Sequence, residues 1–341
     1  MNKRSSKELA VQVFEAGPTL LESGEELKET SIVFKTFGQL NTARDNVILV
    51  NTHFGGNHEN SLYLIGEDKA LNPNDYFIIV INLIGNGTSC SPSHGLGPLF
   101  PKVSIADNIK VQHRMLEKTF AINEIALVVG HSMGGVASYH WAALFPEIVK
   151  RAAPICGAAK ISIHNDVFLQ GMRGILMADP EWADGNYRQP PTHGLNTMAR
   201  AWAAWPPSAH FYRKKHYEKL GYKSTEDFLT RYWEQTYCGL DANDLLTQIA
   251  TWRTADISDN ELYRGNFPAA LQSIKALTYV MPCTTDAYFP PEDSMAEVDQ
   301  IPNSRLMPIE SEWGHWAGSG RNEADTTFIN NALNQLLEEG I

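Results

Sequence analysis

A chain of 341 residues with 43% hydrophobic and 20% charged side chains is neither disordered, collagen-like nor a coiled coil. At about 150 residues per domain it holds either two domains or one large α/β domain with an insertion. The formal net charge of -11 gives no general attraction to phosphate backbones or anionic lipid, so neither nucleic acid nor a membrane surface is expected as a partner.

Along the chain, Lys3 and Arg4 precede an apolar stretch, Leu9 to Phe14, that is interrupted by Gln12 and is too short for a signal-peptide core. Short apolar runs bounded by turn residues follow at Val47 to Val50, Phe77 to Ile81, Ile125 to Val129 and Ala152 to Cys156. Runs this short and rich in Ile and Val predict strands buried on both faces of a mostly parallel sheet. Helical patterns at Ser104 to Thr119 and Gly135 to Phe145 lie between them, so the alternation predicts a doubly wound sheet.

From 159 to 268 the pattern changes. Trp182, Trp202, Trp205, Trp233 and Trp252 are interleaved with Pro190-Pro191, Pro206-Pro207 and many charges, which predicts a helical insertion, most of its tryptophans core or interface and one or two lining an apolar channel. The sheet resumes at Leu277 to Met281 and again at Arg305 to Ile309, and Phe328 to Leu337 closes as a helix. The expected division is a core of residues 1–158 and 269–341 carrying a helical cap of residues 159–268. No run approaches the length of a membrane span. Cys90, Cys156, Cys238 and Cys283 contain no C-x-x-C pair, which fits a reducing compartment, so a soluble cytoplasmic protein is expected.

Gly130-His131-Ser132-Met133-Gly134 reads G-x-S-x-G directly after a buried strand and directly before a helix, the context a nucleophile elbow requires. The turn must be tight enough that Ser132 projects at the strand's carboxyl end, and the helix then aims its first N–H groups, that of Met133 among them, at charge developing on a substrate oxygen. A serine nucleophile needs a base and the base an orienting carboxylate, which in this arrangement follow in the order Ser, Asp or Glu, His. Asp286 stands after the strand ending at Met281, with Glu292 and Asp293 as alternatives. His315 is the only histidine after residue 216. The glycine-rich loop after Val50, Asn51-Thr52-His53-Phe54-Gly55-Gly56, is the place for a second oxyanion donor, with Phe54 the candidate.

Two weaker signals are discounted. Gly85-Asn86-Gly87 lacks the third glycine of a dinucleotide fingerprint, and His53, His58 and Glu59 fit a pocket loop better than a metal site, because no H-E-x-x-H accompanies them. No cofactor and no metal are expected.

With these residues placed, the chain resembles the homoserine O-acetyltransferase family of α/β-hydrolase-fold enzymes. The resemblance is carried in order by Phe37-Gly38-Gln39-Leu40-Asn41, Thr52 to Gly56, Asn82-Leu83-Ile84-Gly85, Ser132 to Gly135, Asp179-Pro180-Glu181-Trp182, Gly194-Leu195, Ala199-Arg200, Asp286 to Pro291 and Gly314-His315. It implies an α/β-hydrolase fold, Ser132, Asp286 and His315 as a triad, Phe54 and Met133 as oxyanion donors, and a cap used for homodimerisation.

It also implies Arg200 as receiver of an amino-acid carboxylate, while other positions depart from the family. Pro207-Ser208 stands where the family has tyrosine and arginine, Trp316 where it has an aspartate that contacts the acceptor, and His131 where it has glycine. A zwitterionic acceptor needs a carboxylate beside its ammonium group, because an unpaired charge is costly to desolvate. Indole in that place argues against homoserine and leaves the acyl-enzyme half intact, with Trp316 and Arg200 as candidate substrate contacts. The expectation is therefore a serine hydrolase of a small carboxylic ester or related acyl compound. O-acyl transfer from acetyl-CoA to another hydroxyl acceptor is the alternative, and a ligand-binding member without turnover the third reading.

Overall fold

The structure is a computed structural model and describes residues 10–340; the Lys3-Arg4 start and the first residue of the Leu9 to Phe14 stretch lie outside those residues. Eight strands form one sheet in the order β1-β2-β4-β3-β5-β6-β7-β8. They are β1 (Gln12–Leu20), β2 (Glu26–Phe37), β3 (Val47–Asn51), β4 (Phe77–Ile81), β5 (Leu127–His131), β6 (Arg151–Ile155), β7 (Leu277–Val280) and β8 (Ser304–Leu306). Every pair from β4 to β8 along that order is parallel. The result is the α/β-hydrolase fold, a mostly parallel eight-stranded sheet with a helical insertion.

The apolar runs form central strands because successive side chains point to opposite faces and both faces are covered. In β3, Val47 and Leu49 pack into one buried cluster, on the face that also takes Ile109, Val136 and Trp141, whereas Ile48 and Val50 pack into the other with Ile329, Leu333 and Leu336. The helices that supply those partners are α1 (Ile105–Met115), α2 (Met133–Leu144) and the carboxyl-terminal Glu323–Glu338. Ser104 caps α1 reciprocally with Asp107, which explains why the helix starts there.

The expected strands are all present, most of them offset by a residue or two at their ends, while the last, expected to reach Ile309, ends at Leu306 and Ile309 makes only an isolated bridge to Cys283. The offset at the elbow has meaning, since β5 runs to His131 and delivers Ser132 immediately. The antiparallel β1 and β2 are additional to the sequence reading. β1 alternates half-buried and exposed side chains and includes Gly17 and Pro18 with register shifts, and β2 sets buried Leu27, Ile32 and Phe34 among charged and polar residues, so no long apolar run announces them. Between β6 and β7 lie α3 (Ile163–Met177), α4 (Thr192–Trp202), the helix Ala242–Arg253 and several shorter helices, and the one β contact among these described residues is the isolated bridge Lys160 to Asp256. Among the described residues no helix is long and apolar enough to cross a membrane.

Candidate active site

The parallel strands end on one edge of the sheet, where open α/β sheets assemble their sites. β5 enters a turn so tight that Ser132 is held at φ 61°, ψ -125°, a region that costs a non-glycine residue about 1–3 kcal/mol. Ser132 N–H donates to Ile155 O at 2.9 Å and its carbonyl accepts from Val136 N–H at 3.0 Å, so the helix begins without a break. Glycine is obligatory on both sides. A Cβ at Gly130 would lie 2.4 Å from the Gly134 carbonyl carbon, and one at Gly134 would lie 2.3 Å from Asn51 O. Because the first turn of a helix has no internal acceptors for its N–H groups, that of Met133 is available beside the serine.

Asp286 lies on the loop after β7. Its Oδ1 accepts from Tyr288 N–H at 2.8 Å and Phe289 N–H at 3.2 Å, and its Oδ2 lies 2.7 Å from His315 Nδ1. Both of its oxygens are thus occupied by donors in a side chain with no exposed surface. Of the three acidic residues the sequence offered, Asp286 is the one that meets His315, whereas Glu292 and Asp293 open the following helix, Pro291–Val298. A hydrogen bond from Nδ1–H fixes the imidazole so that Nε2 carries the lone pair.

His315 is held from both sides. Its N–H donates to Pro206 O at 2.8 Å, and its carbonyl accepts from His131 Nε2 at 2.9 Å, which assigns that tautomer to His131. Gly314 has φ 64°, and a Cβ there would lie 2.5 Å from Pro206 O. Ser208 Oγ donates to Glu312 O at 2.5 Å. The Pro206 to Ser208 segment, read from sequence only as lost acceptor contacts, is therefore packed against the histidine loop. Burial drives the His131 imidazole well below its ordinary pKa and that of His53 to about 4, so both are neutral near pH 7.

Ser132 and His315 line one cavity of about 280 Å³ together with His53, Phe54, His131, Trp202, Tyr232, Trp233, Tyr237, Trp252, Tyr288, Trp316 and Arg321. A space of this size is at the lower limit of ligand pockets and fits a small molecule. The Phe54 ring stacks on Trp202 with centroids 4.8 Å apart and planes 5° apart, and Gly55 N–H is held by Gln248 Oε1 at 2.9 Å, so the loop after β3 is anchored on the insertion. Trp316 is buried and stacked on Trp233 at 5.5 Å.

Arg200 is not brought here. It does not line the cavity, and its guanidinium is bound by Glu226 at 2.6 Å and by Glu234, leaving it 38% exposed on α4. Two nearby acids hold it on the surface, which is the physical reason the expected substrate contact is absent. Among the cavity residues that sequence reasoning missed are Tyr232, Tyr237, Tyr288 and Arg321. Only tertiary packing brings them together, although the tyrosines lie close to motifs already singled out.

The donor chemistry does not favour a metal. A nitrogen of His131, Cys156 Sγ and a nitrogen of His315 lie within 4.8 Å of one another, but one nitrogen of each histidine, His131 Nε2 and His315 Nδ1, is already engaged, and burial pushes the Cys156 thiol well above its ordinary pKa, where it stays protonated. His58 turns away to Asn82 and Glu59, and His53 to Phe54 O.

A strained serine at a helix N-terminus, a His–Asp pair beside it and a small aromatic cavity define the class of site that performs acyl transfer through serine. The sequence profile of the alpha/beta hydrolase fold family matches residues 46–319, and the chain belongs to that family. It is 37% identical over 312 residues, covering 89% of this chain and 88% of the relative, to an ethyl acetate hydrolase of Pseudomonas veronii. Its structure resembles that of an acetylester hydrolase from Corynebacterium glutamicum with a TM-score of 0.94 at 35% identity, over 97% of this chain and 96% of the other. A homoserine O-acetyltransferase of Trichormus variabilis is 29% identical over 87% of this chain and 86% of its own.

Proposed function

We propose that this protein hydrolyses acetate and similarly short esters of small alcohols through an acyl-enzyme on Ser132. It is an esterase-type hydrolase of the α/β-hydrolase fold, similar over most of its length to hydrolases named for ethyl acetate and acetyl esters. In this reading Ser132 Oγ attacks the ester carbonyl while His315 Nε2 takes its proton. The N–H groups of Met133 and Phe54 receive the oxyanion, and Asp286 orients and stabilises the imidazolium. The alcohol leaves with the proton from His315. Water then attacks the acyl carbon as Nε2 takes its proton, and the acid is released when the acyl–Oγ bond breaks and that proton passes from Nε2 to Ser132 Oγ.

The observation that carries hydrolysis over transfer to homoserine is the cavity lining, which among the described residues contains no Asp or Glu. A bound ammonium group would lack a counter-charge there, and an unpaired desolvated cation is expensive. The test is initial-rate hydrolysis of ethyl acetate with no added acceptor, for the wild type and for Ser132→Ala. Turnover that needs an acceptor alcohol would replace hydrolysis by transfer.

The remaining parts of the proposal are structural. Residues 159–268 act as a cap that closes over Ser132, and two copies pair through it, an arrangement supported by Ile163 at 85% and Val167 at 62% exposure on α3. Light scattering of the purified protein reads that mass directly. A cytoplasmic setting is supported by four free cysteines, three of them buried.

A further inference from the structure

The arginines Arg200, Arg231, Arg253 and Arg305 each have a carboxylate partner within 4.0 Å. Arg321 has none among the described residues, and it is the one Arg or Lys that lines the cavity. Its guanidinium carbon lies 4.6 Å from the centre of the Trp316 ring and 5.5 Å from that of Tyr232, and one Nη2–H donates to the Tyr232 hydroxyl. A guanidinium has five N–H donors in a rigid fork and never loses its charge. Two aromatic faces and one hydroxyl therefore fix its direction and leave most of its donors unused.

The surroundings make this charge consequential. Among the described residues the cavity lining has no acidic side chain, and burial, with a smaller contribution from the charge of Arg321, keeps His53 and His131 neutral. In a chain whose formal charge is -11, the approach to Ser132 thus carries a local positive charge. Asn60 and Ser319 line the same cavity and are further neutral hydrogen-bonding groups. Arg321 itself is exposed, whereas Trp202, Trp252 and Tyr288 are buried, so an anion bound by it would sit at the open end, still partly hydrated, with the apolar part of the ligand inside.

We infer that the preferred substrates are esters carrying one carboxylate, and that Arg321 is the specificity-determining residue that receives it. The inference rests on the esterase reading above and adds the substrate class to it. The carboxylate takes no part in the reaction, in which ester and water give acid and alcohol. It is bound by paired N–H donors, the geometry in which arginine outperforms lysine.

The test compares kcat/KM within two pairs of esters that differ only in charge. Acetoxyacetate against acetoxyacetamide puts the carboxylate on the alcohol side, and ethyl hydrogen succinate against ethyl succinamate puts it on the acyl side, with ethyl acetate as the common reference. The wild type is expected to favour the anionic member of at least one pair by about tenfold or more, the scale of a hydrogen bond to a charged group. That ratio should fall to about one in Arg321→Gln, survive in part in Arg321→Lys, and shrink as salt is raised, because an exposed pair is screened.

A wild-type ratio of one or less in both pairs, with ethyl acetate still hydrolysed, overturns the inference and leaves the esterase reading standing. A preference that persists in Arg321→Gln overturns it as well. If no ester is hydrolysed, ethyl acetate included, the esterase reading falls first and the inference with it. Unchanged circular dichroism and melting temperature of the exposed-site variants keep folding out of the comparison.

Discussion

Asp286→Asn isolates the contribution of the orienting carboxylate. Both native oxygens are used: Oδ1 accepts from two backbone N–H groups, and Oδ2 receives His315 Nδ1–H at 2.7 Å. Asparagine can keep its oxygen on the backbone pair, and its amide nitrogen then faces Nδ1 as a donor. The imidazole must reverse its tautomer, placing a proton on Nε2 where a lone pair is needed. The equivalent change in a serine protease lowers kcat about 10⁴-fold, which corresponds to about 5.5 kcal/mol of lost transition-state stabilisation.

Alanine would be a poorer probe, because it strands the Tyr288 and Phe289 N–H groups. At about 1–3 kcal/mol for each buried donor, the variant would lose roughly 2–6 kcal/mol of stability. The assay is kcat for ethyl acetate hydrolysis by pH-stat, with thermal melts of Asn and Ala variants run alongside. The Asn variant is expected to melt close to wild type and to lose about four powers of ten in kcat. A kcat within about tenfold of wild type in a folded Asn variant would refute the assignment of Asp286 as the group that sets the tautomer.

Ser132→Ala and His315→Ala should each remove several powers of ten in kcat while the double variant loses little more than either, because the residues act as a unit; additive losses would argue against a shared mechanism. As homoserine is raised to millimolar levels, acetate should remain the dominant product of acetyl-ester turnover, since among the described residues no carboxylate lines the cavity to hold the ammonium group; O-acetylhomoserine as the main product would reverse the hydrolase reading.

Glu297, whose Oε1 accepts from Ala159 N–H at 2.8 Å, is raised by burial from 4.5 to about 8. The native state therefore keeps a proton that the unfolded chain releases, and the stability from this group is full below about 4.5 and declines as pH rises toward about 8. Glu297→Gln should flatten that decline, by several kcal/mol at the alkaline end, in urea titrations run between pH 5 and 8.5. An unchanged slope would mean that another group carries it.

Much of this molecule is written locally in its chain. Central strands such as Val47–Asn51 and Phe77–Ile81 are legible because a strand covered on both faces is apolar at nearly every position, Asn51 at the end of the first being the exception. The elbow is legible because steric crowding at Gly130 and Gly134 admits no side chain, so the constraint is recorded as glycine at fixed spacing around Ser132. His315 is legible by elimination and chain order. The antiparallel strands β1 and β2 leave no such record, since β1 is a bulged edge strand of mixed half-buried and exposed residues and β2 sets buried Leu27, Ile32 and Phe34 among charged and polar ones.

The recognition surface was decided by tertiary structure. Arg200 and Arg321 are indistinguishable as residue types, yet α4 sets the first against Glu226 and Glu234 on the surface, and the loop after His315 lays the second across Trp316 at the cavity. Pro206 and Ser208, more than 100 positions before the segment they hold, fix the backbone of His315 and Glu312, the first through its carbonyl and the second through its hydroxyl. The reason is physical. Backbone conformation and burial act on a residue and its near neighbours and so leave a local pattern, whereas the partner of a charge depends on which distant elements the fold brings within a few ångströms.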